Sequence, residues 1–297
     1  MTSFIQNTDF FAGNNPETIA SEYGTPVYVY NEKILRDRMA KVAKVITKYP
    51  YTANYSVKAN TNIHILKLAL EESLNCDAMS VGEITLLMKA GFPVERIFFV
   101  PNNVAPYELA FALKNGVMTS LDSLSQLELF GEVCNQMEIP PAKRKCAVRI
   151  NPGVGAGHHE KVVTGGKKTK FGIAEYSIPQ IFEIAEKYQI TIAGINQHIG
   201  SLFMDPQPYL DAVTNLLRIA HQFKNLEFID FGGGYGIPYH KLDDEKEFPM
   251  EDFKSRLEPI LDEFVASYGK APLFKSEPGR FCVAEGSVIL GRVHATK

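Results

Sequence analysis

Short runs rich in β-branched and aromatic residues alternate along this chain with longer stretches whose apolar positions recur at helical spacing. Eight such runs predict strands: Thr52 to Val57, Asn75 to Met79, Arg96 to Val100, Met118 to Leu121, Cys146 to Ile150, Ile192 to His198, Phe228 to Phe231 and Leu273 to Ser276. Between most of them lie amphipathic patterns such as Ile63 to Leu70, Glu83 to Gly91 and Tyr209 to Leu217, which predict helices. Alternation of this kind is the sign of parallel βα units. A doubly wound open sheet shares the local pattern, but eight repeats without a break favour closure into a (β/α)8 barrel of the TIM type. The expected division is an N-terminal segment 1–25, a barrel over 26–285, and a last stretch 286–297. That stretch, Gly286-Ser-Val-Ile-Leu, begins a strand and has no apparent partner.

The chemically distinctive residues fall just after the predicted strands. They are Lys58, Asp77, Asn102 with Asn103, Asp122, Arg149, His198 with Ser201, Gly232 to Gly234, and Glu277 with Arg280. In a barrel these positions share one rim, the C-terminal face where barrel enzymes carry their chemistry.

Composition changes this picture little. With 45% hydrophobic and 22% charged residues over 297 positions, one large core is possible. The formal net charge is −3 and the basic residues between Lys161 and Arg218 are diluted by acidic and apolar ones, so nucleic acid is not an expected partner. No apolar stretch is long enough to span a bilayer and the N-terminus lacks a signal-peptide pattern, so no membrane partner and a cytoplasmic location are expected. Cys76, Cys134, Cys146 and Cys282 show no metal-binding or disulfide spacing and read as packed thiols. His158-His159-Glu160 sits in a polar, glycine-containing stretch and reads as a loop; no metal is expected.

Four motifs carry candidate chemistry. Lys58, in Val57-Lys-Ala-Asn60, is placed to form a Schiff base with a carbonyl cofactor, although a lysine after a strand is more commonly a solvated charge. Phe231-Gly-Gly-Gly-Tyr-Gly236 follows a strand and suits close backbone approach to a phosphate, or else is simply a turn. The dinucleotide spacing fails because Ile237 stands where a third glycine is needed. His198-Ile-Gly-Ser201 offers an imidazole and a hydroxyl, or a packed core histidine. Glu277-Pro-Gly-Arg280 offers a carboxylate suited to a pyridinium nitrogen and a guanidinium suited to a phosphate or substrate carboxylate, or else a structural ion pair.

Taken in this order, Tyr55-Ser-Val-Lys-Ala-Asn60, His198-Ile-Gly-Ser201, Gly232-Gly-Gly-Tyr-Gly236 and Glu277-Pro-Gly-Arg280 resemble the fold-type III pyridoxal-phosphate decarboxylases, whose barrel is alanine-racemase-like. Arg149-Ile-Asn-Pro-Gly-Val154 and Thr164 to Ile173 further resemble the diaminopimelate decarboxylase branch. The resemblance implies pyridoxal 5'-phosphate as cofactor, bound covalently by Lys58, stacked upon by His198 and held at its ring nitrogen by Glu277. A racemase of the same fold has an arginine near that nitrogen. Ser201, the backbone of Gly232, Gly233 and Gly234, and the Gly279-Arg280 turn would hold the phosphate region, with Asp77 and Arg149 in support and Arg280 also facing substrate. The implied reaction is decarboxylation of meso-2,6-diaminopimelate to L-lysine and CO2. The alternatives are another basic amino acid or carboxynorspermidine as substrate, or a non-catalytic barrel that only binds the cofactor. Family members continue into a β-domain that completes the partner subunit's active site, so the resemblance also implies a homodimer for the complete protein and a largely absent second domain here.

Overall fold

The computed structural model describes residues 9–151, 153, 170–239 and 246–297. Strands β2 (Tyr51–Ser56), β3 (Asn75–Ala78), β4 (Ile97–Phe99), β5 (Met118–Leu121), β6 (Lys145–Arg149), β7 (Thr191–Asn196), β8 (Phe228–Asp230) and β9 (Leu273–Ser276) close a parallel barrel in sequence order. Pairing of Tyr51 with Phe274 and of Ala53 with Ser276 seals it between β2 and β9. All eight predicted strands are present, with no end shifted by more than two residues.

The helices follow from local signals. After β3, Ser80 caps a helix at Val81–Ala90 by accepting the Glu83 N–H at 3.2 Å, while the Glu83 carboxylate accepts the Met79 N–H at 2.6 Å. After β5, Ser123 and Gln126 repeat the device at Leu124–Gln136, with Gln126 accepting the Asp122 N–H at 2.9 Å. Both caps anchor the chain as it leaves a strand for the rim. The largest apolar cluster lies between barrel and helices. A second, smaller cluster joins Phe98, Val100, Ala147, Ala193 and Phe228. Nearer the strand C-termini the buried residues become polar: Ser56, Asp77, Ser120, Arg149, Asn196, Asp230 and Glu277.

One expectation is corrected. Ser287–Leu290 (β10) does have a partner: it pairs antiparallel with Val27–Tyr30 (β1), Val27 opposite Leu290 and Tyr30 opposite Ser287. The alternation of Val27-Tyr-Val-Tyr30 already has strand character, but a two-stranded ribbon joining the two ends of the sequence carries no local mark of its pairing. All four cysteines are buried. Among the described residues, no helix is long and apolar enough to cross a membrane.

Gly194 of β7 faces the Phe228 ring, where an added Cβ would come within 2.4 Å of ring carbons. Gly194→Ala is therefore expected to lower stability by about 1–3 kcal/mol through overpacking, read as a shift in the urea midpoint. An unchanged midpoint would show that the ring gives way freely.

Candidate active site

Lys58 lies on a single 3-10 turn, Val57–Ala59, directly after β2. Around it the turn is fixed by main-chain and side-chain bonds. Ser56 N–H donates to the Pro278 carbonyl at 3.1 Å, tying the end of β2 to the Glu277-Pro-Gly turn across the barrel seam. The Tyr55 hydroxyl donates to the Asn60 carbonyl at 2.9 Å, and the Asn60 amide donates to the Tyr30 hydroxyl at 3.1 Å. The side chain of Lys58 itself is solvent-accessible.

A cavity of about 510 Å³ opens at the C-terminal mouth, lined by Lys58, Asn60, His198, Ser201, Gly234, Tyr239, Glu277, Gly279 and Arg280 among others. A smaller one of about 120 Å³ shares Lys58, His198 and Glu277 with it and adds Asp77, Asn102, Arg149 and Phe171. Residues from the first, sixth and eighth barrel strands thus converge on one space. Gly234 is the one member of the glycine run that lines it. Gly232 and Gly233 stand behind: the Gly232 carbonyl accepts both the Glu277 N–H and the Tyr209 hydroxyl, each at 2.9 Å. Gly232 has φ +73°, and a Cβ there would meet the Gln197 carbonyl at 2.3 Å; a Cβ on Gly233 would meet the Glu277 carbonyl at 1.8 Å. Only glycine permits this packing of β8 against its neighbours.

Burial dominates the electrostatics. The His198 imidazole is driven well below its ordinary pKa by burial, with the charges of Lys58 and Arg149 acting the same way, so the ring is neutral. The Gly233 N–H donates to its Nδ1 at 3.3 Å, which assigns the ring proton to Nε2. Burial pushes the Glu277 carboxyl up, against the opposing pull of Lys58, Arg149 and Lys275. Asp77 is raised by burial and then by Glu277, with Lys58 and a 3.0 Å bond from the Ser56 hydroxyl opposing. Arg149 lies 3.5 Å from Asp122 and stacks over Phe171. Arg280 donates to the Tyr239 hydroxyl and reaches Ser201 Oγ at 3.5 Å.

Several neighbours carry no motif of their own. Tyr239 and Tyr209 are brought in by the fold. Asp230 and Lys275 lie in the strands below; Asp230, two residues before the glycine run, is the only one with a sequence signal, that of an Asx turn. The stretches Thr164 to Thr169 and His158 to Glu160, together with Pro152 and Val154, lie outside the described residues.

Residues 32–284 match the family described as pyridoxal-dependent decarboxylase, pyridoxal binding domain. The chain is 38% identical over 293 residues to a diaminopimelate decarboxylase of Methanothermobacter thermautotrophicus, covering 96% of this chain and 67% of that protein. The chain belongs to the diaminopimelate decarboxylase family of pyridoxal-dependent enzymes. A Staphylococcus aureus diaminopimelate decarboxylase is 32% identical over 96% of this chain and 68% of its own length. Among solved structures, the Helicobacter pylori diaminopimelate decarboxylase complexed with L-lysine superposes with a TM-score of 0.84 at 27% identity, covering 93% of this chain and 68% of that one. This member of the family therefore spans about two thirds of the length of these relatives.

The raised Asp77 carboxyl has a consequence for stability in the cofactor-free chain. Above its ordinary value of 3.8 the unfolded chain has released a proton that the folded chain still holds, so the Asp77 contribution falls as pH rises from 3.8 through the higher folded value. Asp77→Asn should therefore be more stable than wild type near neutral pH, and the gain should shrink toward pH 3.8. Urea midpoints measured across pH check this, and a difference independent of pH would count against it.

Proposed function

We propose that this mouth binds pyridoxal 5'-phosphate and that the chain's reaction is removal of the α-carboxylate of meso-2,6-diaminopimelate, giving L-lysine and CO2. The observation that carries the reading is the convergence of an accessible lysine, a neutral imidazole and a buried carboxylate on one cavity. The residues fit the cofactor. Glu277 Oε1 is buried and accepts no hydrogen bond among the described residues, as suits an acceptor reserved for a protonated ring nitrogen. Asp77 Oδ1 and Arg280 Nε are buried without partners in the same way.

In this reading Lys58 holds the cofactor covalently and His198 packs on the ring, uncharged, so that it adds no positive charge against the ring face. Glu277 would meet the ring nitrogen, and Lys58, Arg149 and Lys275 oppose the burial that pushes its carboxyl up. Ser201, the Gly232-Gly233-Gly234 turn, Gly279 and Arg280 form the phosphate end. Asp77 and Arg149 complete the polar wall, and Arg280 also addresses a substrate carboxylate. Bound there, the cofactor supplies a carbonyl to capture the substrate amine and an electron-withdrawing ring to accept the electrons left when CO2 departs. The Lys58 amine at the cavity wall would be placed to hold or return a proton. Homodimer assembly and a cytoplasmic location accompany this proposal.

Borohydride reduction of the chain incubated with pyridoxal phosphate, followed by peptide mapping, should place the cofactor on Lys58; Lys58→Ala should abolish the adduct. Loading spread over surface lysines would sink the cofactor assignment. Glu277→Gln should keep cofactor binding while lowering the rate of CO2 release from diaminopimelate on the order of 100-fold. The substrate assignment fails if the loaded wild-type chain releases CO2 no faster than free cofactor, or prefers ornithine or arginine.

A further inference from the structure

Two charged residues inside the barrel hold no part of the cofactor in the scheme above. Asp230, the last residue of β8, and Lys275 of β9 stand opposite each other in register. Asp230 is 0% exposed and Lys275 9%. The Lys275 ammonium lies 3.9 Å from the centre of the Phe228 ring and 5.0 Å from that of Phe98, facing the apolar cluster of the barrel interior. A lone cation or a lone carboxylate there would be costly to bury, and a hydrophobic pair would fill the space as well. Their presence calls for a role.

The contacts of Asp230 indicate it. Oδ1 accepts the Gly232 N–H at 2.9 Å, and Oδ2 accepts from Asn54 Nδ2 of β2 at 3.2 Å. Both polar groups of the Gly232 peptide units are thereby fixed, the N–H by Asp230 and the carbonyl by Glu277 N–H and Tyr209. From that anchor the turn delivers the Gly233 N–H to His198 and Gly234 to the cavity wall.

We propose that Asp230 and Lys275 form a buried charge pair that positions the glycine turn for a phosphate group, with Lys275 supplying the countercharge that lets Asp230 hold the Gly232 N–H. Asp230 is a positioning residue, acting on the ligand through the turn. The inference rests on the cofactor site proposed above and names what keeps its phosphate end in place. Burial and then Glu277 push the Asp230 carboxyl well above its ordinary range, and burial lowers Lys275; the Gly232 N–H, Lys275 and Asn54 oppose the shift of Asp230, and Asp230 opposes that of Lys275.

The substitutions separate charge from hydrogen bonding. In Asp230→Asn both bonds remain available, because Asn54 Oδ1 has no partner and a flipped Asn54 can accept from the new amide. Lys275→Met removes the cation at similar length and leaves the carboxylate uncompensated. Titrations with pyridoxal phosphate and with pyridoxal, which lacks the phosphate, isolate the phosphate contribution.

Each single variant should weaken pyridoxal phosphate about tenfold, or ~1.4 kcal/mol, while pyridoxal changes less than about twofold. The neutral double variant D230N/K275M should recover most of the loss. Single variants that fail to fold while the double variant folds and binds also support the pair, since the defect is then the uncompensated charge. The proposal is overturned if folded single variants bind pyridoxal phosphate as wild type does, if both ligands weaken equally, or if the double variant is worse than either single one. A wild-type chain that does not favour pyridoxal phosphate over pyridoxal counts against the cofactor reading itself and removes the basis of this one.

Discussion

Accommodating carboxyl groups inside a barrel is the constraint around which this molecule is arranged. Glu277, Asp77 and Asp230 are all withdrawn from water, and desolvation of an unpaired anion would neutralise it or unfold the chain. The opposing charges of Lys58, Arg149 and Lys275 come from three different strands or the turns just after them. No local segment can supply that balance. It exists only when β2, β6, β8 and β9 are closed into a ring, which makes the barrel's closure and the electrostatics of its mouth a single problem.

The same interdependence explains the glycine run. Its conformation is forced by backbone on every side: the Gln197 carbonyl against Gly232, the Glu277 carbonyl against Gly233 and the Gly200 carbonyl against Gly234. In this way β8 touches the ends of both neighbouring strands, and the His198, Gly232 and Glu277 segments behave as one unit. A shift in any of them moves the imidazole, the carboxylate and the turn together.

Much of this was legible beforehand because it is written in local pattern. Short β-rich runs between stretches of helical spacing located all eight barrel strands, and the placement of distinctive residues after them identified the mouth. Lys58, His198, Ser201, Gly234, Glu277 and Arg280 do share a cavity. Pairing of Val27–Tyr30 with Ser287–Leu290 was not legible, because register between sequence-distant strands depends on the finished fold. Tyr209 escaped notice for a related reason: within its helix it reads as one more apolar position, and only the tertiary structure aims its hydroxyl at Gly232. Lys275 lies within a short strand, and its aromatic slot is assembled from β4 and β8.

The seam between β2 and β9 has a further consequence for how the protein is made. Lys58 is among the early residues to leave a ribosome, yet the Pro278 carbonyl that accepts from Ser56 and the carboxylate beside the lysine are synthesised near the end of the barrel sequence. Throughout translation the lysine therefore has no site around it. Contacts of such long sequence separation form late and slowly, so capture of a small aldehyde phosphate would follow barrel closure and, by mass action, hold it shut. Availability of that ligand would then govern how much newly made chain survives in its closed form.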